Sequence, residues 1–185
     1  MSPRTGRVTP RRIHLVRHGR SAVDRSSPPH AWALDPAGRS AIAELRASGR
    51  LPDDARWFSS PETKALETAR MLTDGEVTVV PELREHERHS TVWFDDPQEF
   101  RAVVRRAFED PDQPALEGWE PLACTRDRLV PVVRRILADH PDEEVVLAGH
   151  GTAWTLLVAE LTGRPPDLEA WARLRMPDLW VVDTV

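Results

Sequence analysis

Val145-Val146-Leu147-Ala148 is an uninterrupted apolar run, and Gly149-His150-Gly151-Thr152 follows it at once. Such a run, stopped by glycine, reads as a strand buried on both faces. The pattern from Thr152 to Leu161 then predicts a helix ending at Gly163. The same arrangement stands near the start of the chain, where Ile13-His14-Leu15-Val16 runs into Arg17-His18-Gly19. Further strands are expected at 57–59, 77–80 and 179–182. Asp35-Pro36 caps a helix running to about Ser48, and Ser60-Pro61 opens another through Leu72. Helical patterns also cover 97–109 and 121–139, the second kinked or restarted at Pro131. Strands alternating with helices imply an α/β three-layer sandwich, a mostly parallel central sheet with helices on both faces. Residues 1–12 lack periodicity and are expected to form a flexible N-terminal arm, with 13–185 as a single catalytic domain.

In such sheets ligands bind beyond the carboxyl ends of the strands. Arg17-His18-Gly19 follows the first strand and Gly149-His150-Gly151 the 145–148 strand. Ser59-Ser60 follows the second, with Lys64 early in the next helix, and Glu82, Glu85 and Glu87 follow the third. Two imidazoles, a guanidinium, an ammonium and a carboxylate thus converge on one edge. A phosphoryl group suits this set. The guanidinium offers a planar fork for its oxygens, and the ammonium a compact point charge. A neutral imidazole can attack phosphorus, and nearby cations depress its pKa so that it stays neutral. The other imidazole can donate to an oxygen as charge develops, and a carboxylic acid can protonate the departing oxygen.

Leu15-Val16-Arg17-His18-Gly19 resembles the signature of the histidine phosphatase superfamily, the phosphoglycerate-mutase-like proteins. Four further motifs resemble that family's in order: Leu34 to Arg39, Ser59 to Ala69, Leu83-Arg84-Glu85, and Ala148 to Thr152. The resemblance spans roughly residues 13–160. It implies that His18 is the phosphorylated nucleophile and that Arg17 and His150 hold the phosphoryl oxygens. It also implies that Glu85 is the proton donor and that no metal or organic cofactor is needed. Ser21, Lys64 and Gly151 complete the expected substrate-binding set. The implied activity is a phosphohydrolase acting on a small phosphomonoester or phosphoprotein through a phosphohistidine. The alternatives are a phosphoglycerate-mutase-type transferase and a non-catalytic phospho-ligand-binding protein of the same fold.

Three departures from the family pattern bear on the site. Lys64, the only lysine beside 24 arginines, stands where the family usually has a second arginine; it keeps the charge but loses the fork. Asp24 replaces a common asparagine six residues after His18. An ionised carboxylate ~5 Å from a phosphate charge would be repelled by about 3 kcal/mol at an effective dielectric of ~20. Asp24 is therefore expected to point away, to pair with Arg20 or Arg25, or to meet a hydroxyl or amine of the substrate. Arg84-Glu85-His86-Glu87 offers two neighbouring carboxylates, of which Glu85 has the better offset from Leu83.

Composition sets the outer limits. The 185 residues carry a net charge of −5, against a nucleic-acid partner. The single cysteine, Cys124, excludes an intrachain disulfide framework. No apolar run is long enough to span a bilayer, and no secretory signal is legible, so a cytoplasmic location is expected. His86 and His89 lack a third ligand for a metal. His14 reads as a sheet residue, Ser59-Ser60 as cap and turn. Trp32 or Trp93 is expected to line the substrate mouth.

Overall fold

The computed structural model describes residues 11–184. Five strands form one sheet: β1 (Arg11–Arg17), β2 (Ala55–Ser59), β3 (Val77–Val79), β4 (Glu144–Gly149) and β5 (Asp178–Thr184). Their order is β3-β2-β4-β1-β5. The pairs β2–β3, β2–β4 and β1–β4 are parallel, and β5 alone runs antiparallel, along the outer side of β1. The helices are α1 (Arg39–Ala47), α2 (Thr63–Leu72), α3 (Pro97–Glu109), α4 (Leu122–Asp139), α5 (Gly151–Thr162) and α6 (Leu168–Ala172).

Strand alternation divides the core into two layers. Ile13, Leu15, Val145 and Leu147 face α4 and α5, where they meet Leu129, Val133, Trp154 and Leu157. Val16, Trp57, Val146 and Ala148 face α1 and α2, against Ile42, Leu45, Ala69 and Leu72. Because both faces of β1 and β4 are covered, these strands read as continuous apolar runs. A smaller cluster joins α3 to the loop after it, through Val103, Val104 and Trp119, with Phe94, Phe100 and Trp171 packed against it.

The expected three-layer α/β sandwich is present, with four local corrections. First, the arm expected over 1–12 lies outside the described residues as far as residue 10, but β1 begins at Arg11. The antiparallel β5 extends the pairing there, with Arg12 opposite Asp183 and their side chains 3.7 Å apart. Second, α2 starts at Thr63 rather than at Pro61, and Glu62 is its uncapped first flank. Ser60 is drawn elsewhere: its amide bonds Ala148 O at 2.9 Å and continues the β4 pairing past the strand end. Third, α4 passes through Pro131 without a break. Pro131 lies on the exposed side, where water can satisfy the carbonyl it leaves unbonded, while Leu129, Val130 and Val133 hold both flanks in the core. Fourth, α6 has only five residues and too little periodicity to be read from sequence.

Gly149 shows how tightly β4 meets α5. A Cβ there would stand 2.5 Å from Cζ2 of Trp154, a fully buried ring whose Nε1 donates to Val16 O at 2.8 Å and so cannot withdraw. Gly163 differs: it ends α5 at φ 65° with open space around its Cα. Gly149→Ala is therefore expected to lose about 1–3 kcal/mol through overpacking. Urea denaturation checks this, and Trp154→Phe combined with Gly149→Ala should lose less than the two single changes summed.

Candidate active site

The parallel register sets Arg17 opposite Gly149, so the residues after the two strands, His18 and His150, emerge side by side. The amide of His18 donates to Gly149 O at 2.9 Å and carries the pairing one step further. The two rings stand edge to face, with centroids 5.2 Å apart and planes at 62°. His18 Nδ1 lies 2.6 Å from its neighbour's carbonyl, Gly19 O. A carbonyl only accepts, so Nδ1 carries the proton and Nε2 keeps its lone pair. Gly19 is itself held by Thr68 of α2, whose Oγ1 accepts from the Gly19 amide at 2.9 Å.

Both imidazoles open on a cavity of about 610 Å³, whose walls include Arg17, Lys64, Glu85 and Arg88. Burial, helped by His150, Lys64 and Arg17, holds His18 well below the ordinary histidine pKa. Burial pushes His150 down to about 3; Glu85 opposes this, but Lys64, Arg17 and Arg88 add to it. Both rings are thus neutral at pH 7. His150 Nε2 lies 2.8 Å from Ser60 Oγ and 3.3 Å from Glu62 Oε1, while its buried Nδ1 has no partner. Arg17 Nη1 donates to Leu174 O at 3.0 Å and to Arg175 O at 3.2 Å, and its buried Nε is likewise unpaired.

Glu85 sits at the first turn of α5, where Oε1 accepts from Ala153 N at 2.8 Å and Oε2 from Thr152 N at 3.2 Å. Burial works to raise its pKa, but His150, Arg88 and the His86 amide outweigh it and hold the carboxyl below its usual range. Glu87 faces Arg84 and His89 instead. The segment carrying Glu85 is fastened from α4 by Arg128, which donates to the carbonyls of Glu82, Arg84 and Glu85 at 2.7–3.0 Å and pairs with Glu120 at 2.6 Å. His86 turns inward and is buried, its Nε2 2.7 Å from Glu120 O, so it anchors the segment.

The structure brings Arg17, His18, Ser21, Lys64, Glu85 and His150 to one cavity. Gly151 is not at its wall: it lies beneath Arg17, where a Cβ would stand 3.3 Å from Nε. Lys64 is largely committed, since its Nζ donates to Glu62 Oε2 and to Pro29 O, each at 2.6 Å. Asp24 turns away and accepts from the amide and hydroxyl of Ser26 at 2.9 and 2.6 Å; Arg20 pairs with Asp35 and Arg25 with Asp95. Trp32 lines the cavity, with Trp93 packed against it at 6.2 Å.

Sequence reading missed two residues. Glu62 is a buried carboxylate joining Lys64, His150 and the Glu85 amide, which it accepts at 2.9 Å. Its only signal was its place between Pro61 and Lys64. Arg88 lies in a stretch whose carboxylates and histidines drew the attention. Among the described residues no group of three or more His, Cys, Asp or Glu is placed to hold a metal ion, and no helix is long and apolar enough to cross a membrane.

A family model described as the histidine phosphatase superfamily (branch 1) matches residues 13–182. The chain belongs to that superfamily. Solved structures of similar fold include the mycobacterial glucosyl-3-phosphoglycerate phosphatase complexed with VO3, at 24% identity and a TM-score of 0.70, over 92% of this chain and 90% of that one. A Thermus thermophilus protein, TTHB049, matches at 22% identity and a TM-score of 0.67, over 93% of both chains. At these identities the likeness is one of fold. No curated protein matches the chain.

The neutral, buried histidines of this superfamily member tie its stability to pH. His18, His86 and His150 all have folded pKa values below the unfolded value of about 6.5. Below that pH the unfolded chain binds protons that the folded chain refuses, so stability present above pH 6.5 is lost as pH falls. For His150 the loss is about 1.4 kcal/mol per pH unit until its folded value near 3 is reached. Urea midpoints at pH 6.5, 5.5 and 4.5 should fall in that order, and His150→Asn should flatten the fall.

Proposed function

We propose that the chain is a phosphohydrolase that acts on a small phosphomonoester through a phosphohistidine on His18. One observation carries this reading: a neutral imidazole, proton-locked at Nδ1 by Gly19 O, presents its other nitrogen to a cavity shared with His150 and walled by cations. The mycobacterial structural neighbour, a glucosyl-3-phosphoglycerate phosphatase by name, has been solved with VO3 and with inorganic phosphate, which agrees with a phosphoryl-sized subsite.

In this reading the Nε2 lone pair of His18 attacks phosphorus in line while the bond to the leaving oxygen breaks. Arg17, through its unpaired Nε–H, and His150, through Nδ1–H, donate to the phosphoryl oxygens as their charge grows. In this reading the Ser60 hydroxyl, 2.8 Å from His150 Nε2, donates to it, which places the ring's proton on Nδ1. Lys64 contributes its charge and its one remaining N–H. Before substrate binds, Glu85 is ionised. The negative phosphoryl group raises its proton affinity, so it takes up a proton with the substrate and passes it to the leaving oxygen. Glu85 then removes a proton from water, whose oxygen attacks phosphorus. The P–N bond breaks, its electron pair returns to His18, and phosphate departs. Each step uses protein groups, so no metal is required.

Turnover of p-nitrophenyl phosphate should fall on the order of 10³-fold or more in His18→Ala and should be unchanged by a chelator. A label acquired from a phosphorylated substrate should be acid-labile, alkali-stable and absent from His18→Ala. Retained activity in that variant refutes the mechanism. With 3-phosphoglycerate, free phosphate is expected; an isomerised product would mark the mutase reaction instead.

A further inference from the structure

Arg88 has no role in the reading above, yet it lines the same cavity. Its Cζ lies over two rings that meet at an angle, 4.4 Å from the Trp119 centroid and 5.0 Å from that of Phe100. Nη2 donates to Thr152 Oγ1 at 3.0 Å, two residues past His150. Thr152 also gives its amide to Glu85, so the guanidinium stands beside the carboxylate at the α5 N-terminus. Nε is buried and has no partner.

Such an arrangement is informative because buried donors are almost always satisfied. Six buried side-chain nitrogens among the described residues lack partners, and four of them belong to residues lining the cavity. His86 Nδ1 is an acceptor, because the ring's proton sits on Nε2 facing Glu120 O. Of the other three, Arg17 Nε and Arg88 Nε are donors, and His150 Nδ1 is one in the tautomer whose Nε2 accepts from Ser60 Oγ. A phosphoryl group has three non-bridging oxygens. Lys64, by contrast, already gives two of its three N–H donors to Glu62 and Pro29. The two rings and the bond to Thr152 also hold Arg88 in one rotamer, so little entropy remains to be lost when an anion is bound. A guanidinium serving only to neutralise Glu85 would point its N–H groups at that carboxylate; Glu85 instead takes its hydrogen bonds from the amides of His86, Thr152 and Ala153.

We propose that Arg88 is a substrate-contacting residue whose Nε–H donates to an oxygen of the transferred phosphoryl group, making it the second guanidinium of the phosphoryl pocket beside Arg17. The proposal rests on the phosphohydrolase reading. It adds that the pocket's fork-shaped donors come from the end of β1 and from the segment after β3, not from α2. The contact is to the phosphoryl group itself, so it is made with inorganic phosphate as well as with any ester. An Arg88 that instead greeted a second anionic group of the substrate would leave phosphate binding untouched.

The test measures binding of inorganic phosphate by calorimetry at pH 7 in wild type, Arg88→Met and Arg88→Lys, with thermal midpoints recorded alongside. Methionine keeps an apolar stem against Trp119 and Phe100; lysine keeps the charge but lacks Nε–H. Both variants should bind phosphate at least about tenfold more weakly, the loss of a charge-assisted hydrogen bond. They should also raise KM for p-nitrophenyl phosphate while still acquiring the label on His18. Wild-type phosphate affinity in Arg88→Lys overturns the direct contact, even if Arg88→Met is weakened, because charge alone would then suffice. Unchanged affinity in both, with a lowered thermal midpoint, makes Arg88 a packing residue and leaves the phosphohydrolase reading intact. A wild type that neither binds phosphate nor labels His18 removes both. If Arg88→Met does not fold, the Arg88 Nε–H resonance in ¹⁵N-labelled wild type decides: it must shift on phosphate titration, and a signal that stays in place overturns the proposal.

Discussion

The pairing of β1 with β4 is the constraint from which the site follows. Parallel strands in register end level with one another, and the bond from His18 N to Gly149 O extends that register past both strands. Two residues far apart in the chain are thereby set side by side by backbone hydrogen bonds, and the contacts of His18 Nδ1 with Gly19 O and of His150 Nε2 with Ser60 Oγ fix their rings 5.2 Å apart. The close fit of Gly149 against Trp154 makes the junction rigid, because that ring is tied to β1 through Val16 O. Core packing and site geometry are thus set by the same few residues.

Around this pair the protein keeps cations and unpaired donors where burial is costly. Part of the positive charge is offset internally. Glu62 takes Lys64 and stands close to His150, and Glu85 lies at the positive end of α5 beside Arg88. Arg17 Nε, Arg88 Nε and His150 Nδ1 have no protein partner, which is the electrostatic profile expected of an anion site. Holding such groups in place requires a stiff surround. Arg128 supplies it by binding three carbonyls of the Glu82–Glu85 segment, while Glu120 joins Arg128, Thr125 and the Glu87 amide.

Much of the framework was legible because it is written in local signals. Apolar runs that stop at glycine or at charged residues marked the strands, and a positive-φ glycine at 163 marked the end of α5. Ser60 misled because its cap-and-proline signature is local, whereas its amide pairs with the distant Ala148 O and its hydroxyl with His150. Pro131 misled for the opposite reason, since a helix pinned by core residues on both sides of an exposed proline need not break. Asp24, a concern on sequence grounds, is absorbed by Ser26 two residues later.

From its residues alone, the chain declared an α/β sandwich with Arg17, His18, Glu85 and His150 at strand ends, because strand and helix periodicity and the order of the motifs are properties of neighbours along the chain. Which of the remaining polar groups are free to meet a ligand was decided only by the fold. Lys64 is taken up by Glu62 and by a carbonyl from the loop before α1, and Arg88 is raised on Trp119 and Phe100, which come from two other segments. Whether a donor is spent or spare depends on what surrounds it in space, and nothing in the spacing of residues records that.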